Sequence, residues 1–454
     1  MPKKHFSLSA NPARVIAGSF LGVIITGTLL LMLPLSAKNG SVTNFFDALF
    51  TATSATCVTG LVVVDTYTHW TFFGQGVILA LIQVGGLSLV TLTLFFNLLI
   101  RRKLGLRTLQ LAQESTSATN FEDAPRLLKG IVGITLAVET VGALLLLPAF
   151  VPRYGAEGIF ISVFTSISAF CNAGFDLLGR EGAYSSLIHY NGSYVLLVIS
   201  ALIIIGGLGF MVLFDLLHYH KNKRLRLHSR VVLISTVFLL LIGTVGFALL
   251  EWNNPATMGD LPVWQKLNAS FFQSVTTRTA GFNSIDIASM NELSKVLTIG
   301  LMFIGAAPGS TGGGIKVTTI VVLIMTAVSV ARGYDDTIIM KHKIKRQTVN
   351  KALTVTFIGF LAVMLATGVI IYTTHDGGAT FSSVDALIES TSAFATVGLT
   401  SGISAVANLP SKLILTATMF LGRVGPVSLL LSLAAGAGKV NRKQVMPEGH
   451  LNVG

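Results

Sequence analysis

Apolar runs of about 20 residues recur in pairs along the chain, each long enough to cross a hydrocarbon core near 30 Å thick. Between the members of each pair lies a shorter, more polar stretch that ends in Ser, Thr and Gly. Four such units follow one another. Their outer helices are predicted over 14–35 and 74–100, 127–149 and 193–217, 229–251 and 295–330, and 349–373 and 408–436. The pattern predicts an all-α integral membrane protein with eight spanning helices. The first run, 15–33, follows Lys3, Lys4 and Arg14. It is longer than the apolar core of a secretory signal and reads as a span entered from the cytoplasm.

The short stretches align on one glycine each: Gly60, Gly174, Gly281 and Gly398. Around that glycine the segments read Ser54-Ala55-Thr56-Cys57-Val58-Thr59-Gly60-Leu61, Ser168-Ala169-Phe170-Cys171-Asn172-Ala173-Gly174-Phe175, Val275-Thr276-Thr277-Arg278-Thr279-Ala280-Gly281-Phe282 and Ser392-Ala393-Phe394-Ala395-Thr396-Val397-Gly398-Leu399. A large apolar residue always follows. Thirteen residues before the glycine stand Asp47, Ile161, Asn268 and Asp385, so two units share an acid there. Recurrence in register is the sign of an internal repeat, and the expected units are 1–126, 127–228, 229–348 and 349–454.

Composition narrows the classes. The chain has 454 residues, 52% hydrophobic and 11% charged, with mean hydropathy +0.73. A soluble enzyme, a nucleic-acid binder and a disordered basic protein all need more charge than this. Cys57 and Cys171 are too few for a disulfide framework. Most of the 32 Lys and Arg fall at the amino terminus, in the three unit connectors and in the tail, which places those parts and both termini in the cytoplasm. The acids gather in the outer stretches, among them Asp65, Asp176, Glu181, Asp260, Asp286 and Asp376. An acidic vestibule raises the local cation concentration.

Segments such as 45–56 and 384–395 are too short to span and suit re-entrant helices. Each descends from outside and points its carboxyl end, with about half a negative charge, at a central cavity. The chain then returns in extended form. Candidate ion-binding residues are Cys57, Val58, Thr59 and Gly60; Cys171, Asn172, Ala173 and Gly174; Arg278, Thr279, Ala280 and Gly281; and Ala395, Thr396, Val397 and Gly398. Carbonyl oxygens of such a ring replace the hydration shell of potassium, and glycine gives access to backbone conformations barred to other residues.

On these motifs, together with Ile82-Gln83-Val84-Gly85-Gly86 and Gly422-Arg423-Val424-Gly425-Pro426, the sequence resembles the Trk/Ktr/HKT superfamily of potassium transporters, most closely its Ktr-type membrane subunits. The resemblance runs over nearly the whole chain. It implies four membrane-pore-membrane repeats with pseudo-fourfold symmetry around one pore, a homodimer, and control by a KtrA-like cytoplasmic ring of nucleotide-binding subunits. Within that family a glycine at all four filter positions goes with potassium selectivity, and a serine in the first goes with sodium transport in some plant members. With one glycine per repeat, the oxygen ladder is expected to be shorter than in tetrameric potassium channels.

The second helix of the third unit is interrupted by Gly305-Ala306-Ala307-Pro308-Gly309-Ser310-Thr311-Gly312-Gly313-Gly314, which cannot stay helical. A phosphate-binding P-loop is excluded because Ile315 separates Gly314 from Lys316 and no strand precedes. Broken helices in transporters line the permeation path, and the resemblance makes this stretch an intramembrane gate. The gate residues are Gly305, Gly309, Ser310, Thr311, Gly312, Gly313, Gly314, Lys316 and Arg423. A lipid-facing Arg423 would cost about 2.5 kcal/mol or more, so it should face inward, bond to carbonyls freed by the loop and hold the gate shut.

Arg278 should point away from the axis, with Asp286 or Glu292 as partner. Glu139 is open between a buried hydrogen-bonded acid and an ion or proton site. His218, His220 and Asp215 sit beside Lys221, Lys223 and Arg224 at the inner end of a span and are expected to meet lipid headgroups rather than a metal. Cys57 and Cys171 are expected to pack behind the filter. No nucleophile, base and orienting acid occur together, so no enzyme is expected.

The reading is potassium uptake through one pore in the plasma membrane, channel-like and driven by the membrane potential. No covalent cofactor and no nucleic acid is expected, and ATP or ADP would act on the partner ring docked on the basic connectors. An alternating-access symporter coupling potassium to sodium or protons is the alternative. Sodium activation is left open.

Overall fold

A computed structural model describes residues 12–87, 91, 124–190, 192–374 and 381–425. Lys3, Lys4, the connector 101–123, Asp376, Pro426 and the tail to 454 lie outside the described residues. The first unit holds α1 (Pro12–Leu31), the short α2 (Phe45–Cys57) and α3 (Phe72–Leu87). The second holds α4 (Ala124–Tyr154), α5 (Glu157–Phe170) and the pair α6 (Tyr194–Leu208) and α7 (Phe210–Leu217). The third holds α8 (Leu227–Glu251), α9 (Val263–Thr276), α10 (Glu292–Phe303) and α11 (Val317–Ala331). The fourth holds α12 (Arg346–Thr374), α13 (Ser383–Ala395) and α14 (Leu409–Val424). Among the described residues, α1, α4, α8 and α12 are long and apolar enough to cross a membrane, and α6 with α7 would make a fifth.

Polarity runs inside out. Leu29, Leu249 and Leu365 are 60%, 77% and 68% exposed on the outer helices, while Ser54, Thr56, Ser168, Thr276 and Ser392 are fully buried. Such an apolar exterior suits lipid, where backbone groups must be satisfied within helices. The buried polar groups lie beside an apolar core that includes Trp70, Phe50, Phe164 and Phe272.

Each short helix carries its carboxyl end into that interior, where Thr56, Phe170, Thr276 and Ala395 are fully buried. Asn44 caps α2 by accepting from the Phe46 amide at 2.9 Å, and Ser382 forms a capping box with Asp385 on α13. The packing is cyclic. Helix α2 lies on α1, α3 and α14; α5 on α4, α6 and α3; α9 on α8 and α6; and α13 on α12, α14 and α10. Every short helix therefore touches its own unit and the second helix of the preceding one.

Two expectations need correction. The predicted continuous helix 193–217 is broken at Gly209 (φ 86°), and its halves meet at 100°. The reason is a neighbour: the Phe210 amide donates to Gly309 O at 3.0 Å, and a Cβ on Gly209 would lie 2.7 Å from Pro308 O. The fold is also not wholly α. In the third connector Ile338–Ile339 pairs antiparallel with His342–Lys343 across Met340 and Lys341, both at positive φ. Neither turn residue is the Asn or Gly that announces such a hairpin.

Candidate functional site

Within three residues of its end, each short helix gives way to a residue in the left-handed region. Val58, Asn172, Thr279 and Thr396 adopt φ of 58°, 58°, 70° and 50°, and each stands two positions before the aligned glycine. A β-branched residue in that region is an outlier, costing about 1–3 kcal/mol. The turn is closed by backbone bonds: Thr59 N to Ser54 O at 2.8 Å, Ala173 N to Ser168 O at 2.7 Å, Ala280 N to Thr276 O at 3.0 Å and Val397 N to Ser392 O at 2.9 Å.

Hydroxyls then fix the climbing strand. Ser54 and Ser392 accept from the amides of Gly60 and Gly398 at 3.1 and 3.0 Å, while Ser168 and Thr276 donate to the carbonyls of Phe175 and Phe282 at 2.6 and 2.8 Å. With its amide turned outward, the segment is free to present carbonyls to the other side.

The four glycines meet. A Cβ on Gly60 would lie 3.1 Å from Gly174 Cα and 3.3 Å from Gly398 Cα; on Gly174, 2.9 Å from Gly281 Cα; and on Gly281, 3.1 Å from Gly398 Cα. Each also abuts the carbonyl before the next glycine: Ala173 O, Ala280 O, Val397 O and Thr59 O in cyclic order. No side chain fits at this level, and φ of 94° at Gly60 and 96° at Gly398 bars one independently.

Beneath the ring lies the segment between α10 and α11. It is stitched to the second and fourth units. Ala307 N and Thr311 N donate to Gly207 O (3.1 Å) and Gly206 O (3.4 Å), the Thr311 hydroxyl to Phe170 O (3.2 Å), and Gly313 N to the Thr396 hydroxyl (3.1 Å). Within it Gly305 N donates to Ile315 O at 2.8 Å, the Ser310 hydroxyl to Ala307 O at 2.6 Å, and Gly309 and Gly314 take positive φ. Lys316 Nζ donates to Gly312 O at 2.6 Å. Arg423 donates from one arm to Thr311 O and from the other to Gly85 O at 2.5 Å, tying the first unit to the loop. Two fixed cations therefore stand below the glycines, each held by carbonyls.

The remaining predicted residues are spread around this centre. Cys57 packs in an apolar cluster with Leu415 and Met419. Cys171 Sγ lies 3.9 Å from Gln83 Oε1 and 3.8 Å from Glu139 Oε1, and Gln83 Nε2 donates to Glu139 at 3.2 Å. Arg278 is 7% exposed and faces Gly207, Thr236 and Ala306, with its Nε unpaired. Its expected partners are engaged elsewhere: Asp286 with Ala288 and Ser289, Glu292 with Lys295. His218 bonds to the Phe214 carbonyl and Asp215 to Ser229, and among the described residues no cluster of three metal-ligating side chains forms.

Sequence reasoning missed Lys295 and Lys412. Lys295 Nζ lies 3.0 Å from Asp385 and Lys412 Nζ 2.6 Å from Asp47. Each lysine stands fourteen residues after its unit's glycine and meets the acid thirteen residues before the next unit's glycine in the cycle. Equal spacing in the third and fourth units was the available signal.

A helical membrane protein whose short helices converge on a backbone ring above a cation-bearing loop defines a class of ion-transport protein. The chain belongs to the TrkH family, described as cation transport proteins, whose profile matches residues 4–442. It is a transporter, not an enzyme. It is 41% identical over 426 residues to the Ktr system potassium uptake protein B of Bacillus subtilis, covering 93% of both chains. It is 36% identical over 453 residues to the potassium/sodium uptake protein NtpJ of Enterococcus hirae, covering 100% of this chain and 99% of that one. The crystal structure of the potassium transporter TrkH from Vibrio parahaemolyticus shares the fold, with TM-score 0.68 at 20% identity over 95% of this chain and 86% of that one.

Proposed function

We propose that this chain takes up potassium across the plasma membrane through a single pore, with Gly60, Gly174, Gly281 and Gly398 as its selectivity filter. The observation that carries the reading is the cyclic contact of those glycines with the carbonyls of Ala173, Ala280, Val397 and Thr59. Oxygens so disposed substitute for water around an alkali ion. The relatives named for potassium uptake support the choice of ion. The membrane potential, worth about 2.3 kcal/mol per charge per 100 mV, drives entry.

In this reading four units with eight spans surround the pore, both termini are cytoplasmic, and the 305–314 loop with Lys316 and Arg423 is the gate. Opening moves the loop off the axis. Two copies of the chain and a cytoplasmic nucleotide-binding ring complete the system, with ATP or ADP acting on the ring. The Ktr system name of the relatives supports a membrane subunit that works with other components.

Sodium coupling is the second reading, favoured by the printed name of the Enterococcus hirae relative. Comparing rubidium and sodium uptake by wild type and Gly60→Ser tests the filter. The added side chain would meet Ala173 O at 2.5 Å, so the variant should admit more sodium relative to rubidium. Unchanged selectivity would remove the ring from the mechanism.

A further inference from the structure

Below the loop, on the side of the third and fourth units, lies a cavity of about 500 Å³. Its lining is unusual for a cation protein: His228, Lys316, Lys351 and Arg423 contribute to it, and among the described residues no Asp or Glu does. Three helices also begin there. His228 is the second residue of α8, Thr318 and Thr319 stand in the first turn of α11, and Thr348 and Lys351 stand in the first two turns of α12. The residues before α8 and α11, Arg226 and Lys316, place no side chain on the first-turn amides. Each such terminus carries about half a positive charge, while the amides of Val317, Thr319 and Thr348 already donate to Ala306 O, Lys316 O and Lys345 O.

His228 Nε2 is buried and has no hydrogen-bond partner. The neighbouring Asp215 is taken up by the Ser229 hydroxyl at 2.5 Å and by Arg226 at 3.5 Å. Positive side chains, helix amino ends and an unpaired ring nitrogen thus share one space, and among the described residues no carboxylate lines it. A phosphoryl oxyanion has the charge and the acceptor oxygens that these donors lack.

We propose that this cavity is an anion site for a phosphoryl group, borne either by an acidic phospholipid headgroup or by free phosphate, with Lys351 and His228 as its dedicated ligands. The site goes beyond the potassium reading and does not depend on it.

The test is thermal unfolding of the full chain, read in detergent with increasing inorganic phosphate and, separately, in phosphatidylcholine vesicles with and without phosphatidylglycerol. Ligand binding to the folded state raises the midpoint in a saturable way. Lys351→Gln and His228→Gln should leave the midpoint without ligand unchanged and weaken the apparent affinity about tenfold each, the loss expected for one charge-assisted contact. General stabilisation by phosphate salts acts on all variants alike, so the difference between wild type and variants is the signal. A saturable shift in phosphate identifies a free oxyanion; one in phosphatidylglycerol alone identifies a headgroup. No saturable shift from either probe, or equal shifts in wild type and both variants, would overturn the site. Neither readout involves transport, so its failure leaves the filter reading untouched.

Discussion

Lys412 Nζ and Asp47 Oδ1 lie 2.6 Å apart, joining the last unit to the first at the amino end of α2. Lys295 and Asp385 make the same joint between the third and fourth units at 3.0 Å. Where the lysine is replaced, by Gly74 in the first unit and Ile188 in the second, the acid of the following unit is also replaced, by Ile161 and Asn268. Charge is retained only as a pair.

Removing one member of a partly buried pair strands the other. Side-chain exposures of 21% and 23% temper the cost to about 1–3 kcal/mol. Lys412→Met and Asp47→Asn should each lower the unfolding midpoint by several degrees. The double variant should be no worse than either single one, and strict additivity would show that the two do not act together.

Arg423 holds Thr311 O and Gly85 O with separate arms. Arg423→Ala should free the 305–314 loop and raise rubidium flux several-fold. Arg423→Lys, a single ammonium without the planar fork, should fall between the two. Flux no higher in the alanine variant would exclude the loop as a gate.

The Thr396 hydroxyl accepts the Gly313 amide at 3.1 Å. Thr396→Val keeps the shape, leaves that amide unpaired and costs about 1–3 kcal/mol. It should favour the open loop and raise flux, while Thr396→Ser should match wild type. Equal flux in the valine and serine variants would assign the bond no part in holding the loop.

Asp176 lies two residues after Gly174, where burial pushes its carboxyl up to about 6. A raised carboxylate pKa means that the charge is present above that value and lost below it. Half-saturation for rubidium should therefore rise as external pH falls through about 6, and Asp176→Asn should abolish that step. A pH profile identical in the variant would clear Asp176 of attracting the ion.

Helix positions and the break after Phe303 were legible because apolar run length and Gly-Pro composition report directly on local energetics. The aligned glycines were legible for the same reason, since few residues tolerate their backbone. The bend at Gly209 was not, because it arises from Gly309 and Pro308, distant in sequence. Nor were the left-handed Val58, Thr279 and Thr396: tertiary packing imposes a conformation that the propensities of these β-branched residues oppose. The partner assigned to Arg278 failed because charge matching along the chain says nothing of which acids are already engaged.

The seam between the first and last units sets an order on biosynthesis. Gly60 meets Gly398, Asp47 meets Lys412 and Gly85 meets Arg423, so a nascent chain leaving the ribosome cannot close its centre until the final quarter has been inserted. A chain truncated before α13 would lack Gly398, Lys412 and Arg423 and could not make these contacts.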